Sequence, residues 1–242
     1  VRLIVRNSEA VNFFHIVERC LIAVIGQGSL VHLVLFDIDG TLVESYDFDT
    51  ECFQAAIKDV LGVTIGPDWS RYRHVTDSGI LAEVIDSLGL ESDSESITAD
   101  VKEQFISRVA DYISCHSISP IPGAYELLSQ LVARKNVAVA FATGGWSESA
   151  KMKLGSAGIT FSAIPLASSS DHYSRTEIMR LAERRAGKSH YDSMTYFGDG
   201  PWDEKASKAL GYNFVSVGDR ITSPKSIRDF TEVDVVLRYI GL

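Results

Sequence analysis

The chain has 242 residues, 45% of them hydrophobic and 23% charged, with a formal net charge of -9. That is enough length for a core domain carrying an inserted smaller one, and the acidic balance argues against a nucleic-acid surface built on broad basic patches. No apolar run approaches the roughly 20 residues needed to span a bilayer, and Cys20, Cys52 and Cys115 form no CxxC pair, so a reducing cytoplasmic setting fits better than a disulfide framework, a zinc site or a membrane anchor.

In chain order, the first thirty residues form an N-terminal extension. Ala10, Phe13, Phe14, Val17, Leu21 and Val24 recur at helical spacing before Gly26 and Gly28, which makes an amphipathic helix the expected structure. The first residue is Val rather than Met, which points to a non-standard start, a trimmed product or an upstream extension. Val31 to Phe36 then reads as a buried central strand, since it is aliphatic and lacks alternation. It ends in Asp37, Ile38, Asp39, Gly40 and Thr41, and a period of two sends both aspartates to one side of the strand's carboxyl end. Ligands bind at that end in open α/β sheets.

Between residues 44 and 119 the pattern is helical, with helices expected over 50–61, 77–88 and 97–114, the first two stopped by Gly62 and Gly89. This segment reads as an insertion lying over the site. Its polar run Arg71, Arg73, His74, Thr76 and Asp77 supplies the cap residues expected to face a substrate. Alternation of strand and helix resumes over 120–242. The 137–142 strand ends at Thr143 and Gly144, an extended segment covers 161–167, and a helix over 174–186 is expected to open on a capping box from Ser174 to Glu177. A strand over 194–197 precedes Asp199 and Asp203, followed by a helix over 203–210, a strand over 213–217 and a terminal segment over 227–240. The fold class is therefore α/β: a Rossmann-like, doubly wound parallel sheet over 31–43 and 120–242, with an inserted all-helical cap over 44–119.

Three strand ends thus carry Asp37 with Asp39, Thr143 with Gly144, and Asp199 with Asp203. Carboxylates converging at one sheet edge repel unless a cation intervenes, and hard oxygen ligands select Mg²⁺. Trp146 and Trp202 flank two of these ends, either as core residues or as walls of a pocket, and His32 is expected to pack within its strand.

The ordered set DxDGTL, strand-Thr, a basic residue opening a helix, and GDGxxD resembles the haloacid dehalogenase superfamily, in the branch of phosphoglycolate phosphatase-like and β-phosphoglucomutase-like members. The resemblance spans about residues 33–217. It implies a phosphatase acting on a small phosphomonoester, with Asp37 as nucleophile and Asp39 as general acid and base. It also implies phosphate binding by Thr143, Gly144 and Arg175. Mg²⁺ would be held by Asp37, Asp39 (through its carbonyl), Asp199 and Asp203. Arg175 stands where the superfamily usually has lysine, with Lys153 as the next candidate. The partner is then a small phosphorylated metabolite rather than nucleic acid or membrane, and the protein a monomer or homodimer. A sugar-phosphate mutase shares the first chemical steps, and a phosphate-binding protein without turnover shares the fold. A dehalogenase would lack Asp39, and a phosphonate-cleaving enzyme would need a cap lysine in surroundings that neither Lys58 nor Lys102 has.

Overall fold

The computed structural model describes residues 30–160 and 162–242. The helix expected over 10–24 and Phe161 lie outside the described residues. Among the described residues six strands form one parallel sheet: β1 (His32–Phe36), β2 (Val137–Ala142), β3 (Leu166–Ala167), β4 (Ser193–Gly198), β5 (Asn213–Val217) and β6 (Ser226–Ile227). Their order is β3-β2-β1-β4-β5-β6. β1 pairs with β2 on one side, His32 opposite Val137, and with β4 on the other, His32 opposite Ser193. The chain therefore winds outward in both directions from β1, and the crevice at the carboxyl end of β1 is where such a sheet can hold a ligand.

Strand periodicity divides the core into two layers. Leu33 and Leu35 of β1 pack with Ala140, Tyr196, Ile178 and Met179 on one face. Val34 and Phe36 face the opposite layer, with Phe141, Phe197, Leu127, Leu128 and Val236. The helices that cover these faces are α4 (Ala124–Val132), α5 (Ser147–Ser156), α6 (Arg175–Arg185), α7 (Pro201–Leu210) and α8 (Val233–Ile240). His32 is buried in its strand and lies 2.6 Å from Ser193 Oγ through Nδ1, a packed and satisfied group.

The helical insertion consists of α1 (Tyr46–Leu61), α2 (Asp77–Ser87) and α3 (Ser94–Cys115), with short 3₁₀ turns at Trp69–Arg71 and Glu91–Asp93. Its two crossings to the sheet run side by side: Val43 pairs with Pro120, and the Glu44 amide donates to the Ser119 carbonyl at 2.9 Å. Phe53 and Phe105 meet edge to face at 5.8 Å, and both pack on Trp146 at the head of α5. Trp146 is thus a core residue that joins insertion to sheet layer.

Several local expectations need correction. Helix α1 starts four residues before the expected Thr50: Ser45 is its N-cap, its carbonyl accepting from the Asp49 amide at 3.0 Å while its Oγ donates to Asp39. The extended segment over 161–167 narrows to the strand Leu166–Ala167. Ser174 does not close a capping box: its Oγ lies 2.9 Å from Thr176 Oγ1, while Glu177 pairs with Arg180. Helix α7 begins at Pro201, whose missing N–H costs nothing in a first turn. The terminal segment contains strand β6 before helix α8. No helix among the described residues is long and apolar enough to cross a membrane.

Candidate active site

Asp37 follows directly on β1, and its amide donates to the Phe197 carbonyl of β4 at 2.9 Å, so the sheet itself aims the carboxylate. Gly40 then turns the chain with φ of 76°, and a side chain there would collide with the Asp199 carboxylate. Only glycine permits both the turn and the close approach of the two acidic motifs. Asp199 and Asp203 come from the end of β4 and the first turn of α7. One oxygen from each of Asp37, Asp199 and Asp203 lies within 4.8 Å of the others, and all three residues are buried.

Arg175, at the start of α6, is buried against this group. Its Nη1 lies 2.8 Å from Asp203 Oδ1 and 3.5 Å from Asp37 Oδ1, and its Nη2 donates to the Val75 carbonyl at 3.1 Å. Tyr196 lies 3.3 Å from Asp203 Oδ1 and donates to the Ala142 carbonyl. Asp203 Oδ2 accepts from the Gly200 amide at 3.1 Å, which fixes the carboxylate's orientation. Arg175 and, at 3.4 Å from Asp199 Oδ2, Arg220 do not balance three buried carboxylates. Burial, then Asp203, raises the Asp37 pKa well above its ordinary value, and burial with Asp203 pushes Asp199 up to about 7. Asp37 Oδ1 and Asp199 Oδ2 are buried and accept no hydrogen bond from the described residues. Orphaned hard oxygens in an over-charged group fit a small divalent cation such as Mg²⁺.

Asp39 is held differently. Its Oδ1 accepts from Ser45 Oγ and from Lys153 Nζ, the latter at 2.6 Å. Lys153 is fully buried and also lies 2.5 Å from Asp49 Oδ1 of α1. Burial alone would lower the lysine's pKa, but Asp39 and Asp49 hold it above its ordinary range. Asp37 and Asp39, two residues apart, thus meet separate cations while lining one cleft.

That cleft is also lined by Thr143, Gly144, Asp199 and Arg175, and by Thr76 and Asp77 from the insertion. Thr143 Oγ1 accepts from the Gly145 amide at 3.1 Å. Gly144 lies so close to the Arg175 guanidinium that a side chain there would collide with it, and its carbonyl accepts from the Asp77 amide. Arg73 and His74 line a neighbouring pocket that shares Val75, Arg175 and Trp202 with the first. Arg71 lies over the Tyr72 ring at 5.7 Å and is not among the residues lining either cavity. Trp202 lines both cavities.

Sequence reasoning did not single out Asp49, Tyr196 or Arg220. Arg220 Nε lies 3.4 Å from Asp199 Oδ2, and its guanidinium stacks on Tyr46. Asp49 had one usable signal: it sits among the apolar positions of an amphipathic helix, one residue from the buried Phe48.

A model of haloacid dehalogenase-like hydrolases matches residues 34–217. The chain belongs to that family. None of the curated proteins matches it by sequence. Among solved structures, a hydrolase from Pseudomonas syringae superposes with a TM-score of 0.68 at 20% identity, covering 86% of this chain and 99% of that one. CbbY from Rhodobacter sphaeroides, solved in complex with phosphate, gives 0.63 at 18% identity, covering 88% and 100%. A β-phosphoglucomutase from Clostridium difficile gives 0.68 at 12% identity, covering 88% and 98%. This haloacid dehalogenase-like chain therefore shares their fold along nearly the whole of those proteins.

Proposed function

We propose that this hydrolase is a Mg²⁺-dependent phosphatase that cleaves a small phosphomonoester through a phospho-aspartate on Asp37. The observation that carries the reading is the separate housing of its two neighbouring carboxylates. Asp37 belongs to the metal-fitting group beside Arg175, whereas Asp39 is anchored by Ser45 and Lys153. Two carboxyls in different surroundings suit two different tasks. An Asp37 oxygen attacks phosphorus, and Asp39 gives its proton to the departing ester oxygen. Water, deprotonated by Asp39, then opens the acyl phosphate and returns Asp37. Asp39 Oδ1 is engaged, so Oδ2, on the side of Gly145, is the atom that exchanges the proton. Thr143 and Gly144 hold non-bridging oxygens, and Arg175 offsets their charge. Asp37, Asp199, Asp203 and the Asp39 carbonyl would hold Mg²⁺, which supplies the charge shielding that lets a carboxylate approach a phosphate.

Phosphate release from a panel of small phosphomonoesters, with Mg²⁺ and with chelator, tests this. Metal-dependent release that disappears in Asp37→Asn is expected. Undiminished release in that variant would remove Asp37 as nucleophile, and accumulation of a bisphosphate in place of free phosphate would identify a mutase.

A further inference from the structure

The turn after β2, from Thr143 to Trp146, contains two successive glycines and has little stiffness of its own. Its peptide groups are held largely from outside. The Thr143 amide donates to the Ala167 carbonyl of β3 at 3.1 Å, and the Gly145 carbonyl accepts from the Ser169 amide at 3.0 Å. The other two holds come from one residue of the insertion. Asp77 donates its amide to the Gly144 carbonyl at 2.9 Å, and its Oδ2 accepts from the Trp146 amide at 2.8 Å. Asp77 thus grips two consecutive peptide groups, one by its C=O and the next by its N–H.

A trans peptide points its C=O and N–H in opposite directions, so a bond to one half also aims the other. With the Gly144 carbonyl turned to Asp77, the Gly145 amide points the other way and donates to Thr143 Oγ1 at 3.1 Å. The Thr143 hydroxyl keeps its hydrogen to donate. The Gly144 amide donates to none of the described residues, and Thr143 and Gly144 both line the cleft. Two donors are left for an anion, on a turn whose shape Asp77 holds.

Asp77 is itself firmly placed. Before it, Thr76 Oγ1 donates to the Tyr173 carbonyl at 2.7 Å; after it, the Ser78 amide donates to Ser169 Oγ at 2.8 Å. These bonds fasten the start of α2 to the loop after β3 without the Asp77 carboxyl. Burial, followed by Asp49, raises the Asp77 pKa well above its ordinary value. An oxygen accepts from Trp146 in either protonation state, so the hold does not need the charge.

We infer that Asp77 is a positioning residue of the phosphate site, an insertion side chain that shapes the 143–146 turn and thereby sets its affinity for phosphate. The inference rests on the phosphatase reading, in which Thr143 and Gly144 hold the non-bridging oxygens, and adds the residue that aims them.

The experiment titrates inorganic phosphate by calorimetry, with Mg²⁺ present, into wild type, Asp77→Ala and Asp77→Asn, and measures kcat/KM for p-nitrophenyl phosphate on the same proteins. Asp77→Ala leaves the buried Trp146 amide without its acceptor and should weaken phosphate binding by about tenfold or more, with kcat/KM falling at least as far. Asp77→Asn returns an acceptor oxygen without the charge and should bring both values to within about threefold of wild type. The rise of Tm with Mg²⁺ is the control, since Asp37, Asp199 and Asp203 lie outside the turn, and it should be alike in all three proteins. Unchanged phosphate affinity in Asp77→Ala, a loss that Asp77→Asn does not recover, or a loss matched by the Mg²⁺ response would overturn the inference. If wild type binds phosphate but hydrolyses nothing, the phosphatase reading falls and the three affinities still decide the role of Asp77. If wild type does not bind phosphate, the inference falls.

Discussion

Arg175 carries a charge that resemblance would assign to lysine, and its surroundings explain why the two are not equivalent here. The guanidinium bonds Asp203 through Nη1 and the Val75 carbonyl through Nη2, so it joins the group of Asp37, Asp199 and Asp203 to the loop before α2. A single ammonium cannot span both in the same geometry. Arg175→Ala should lower kcat by about 100-fold or more, since it removes a preorganised cation from the reacting end. Arg175→Lys should restore part of kcat while losing the link to Val75. Steady-state kinetics on both variants check this, and an unchanged kcat in Arg175→Ala would assign the arginine to packing.

Among the elements, α5 has an unusual part. It is a sheet-covering helix, yet Lys153 reaches from it to Asp39 at the end of β1 and to Asp49 on α1. Trp146 at the head of α5 meets Phe53 of α1 and Phe105 of α3, so an apolar contact and a buried ion cluster fasten the same pair of layers. Lys153→Met keeps most of the volume and removes the charge. Asp39 and Asp49, each partly buried with 15% of its side chain exposed, would then lose their shared cation, and the protein should lose about 3 kcal/mol of stability, the low end for a fully buried pair. Urea unfolding measures the loss; a change below 1 kcal/mol, on the order expected of an exposed pair, would mean that the cluster is solvated rather than buried.

For the whole molecule, the surplus of buried acid near Asp37 makes folding and cation binding interdependent. A cation that binds the folded chain alone stabilises it by mass action. Mg²⁺ at about a hundredfold excess over its Kd should raise Tm by about 5–10 °C, and chelation should reverse the shift. Asp199→Asn should shrink the shift to less than half. Scanning calorimetry with and without Mg²⁺ provides the check, and an equal shift in wild type and variant would place the cation elsewhere.

Strand and helix alternation, the helical insertion and the three polar strand ends were legible because each is written in local chemistry: aliphatic runs, apolar positions at helical spacing, and acids or glycines where a strand stops. Asp37 and Asp39 announced themselves at the end of such a run. What the chain does not write locally is which distant charges meet. Lys153 looks like any helix lysine, and Asp49 like any acid in a first helical turn, until α5 and α1 pack and remove water from both. The Ser174 capping box has the right residues yet does not form, because local hydrogen bonds yielded to Thr176 and Arg180. Sequence alone thus determined the layers of this protein and the acids at its sheet edge, since those follow from periodicity and from where strands end. The tertiary structure decided the ion partners and which insertion residues line the cleft, because charge balance in a buried site depends on residues brought together across the fold.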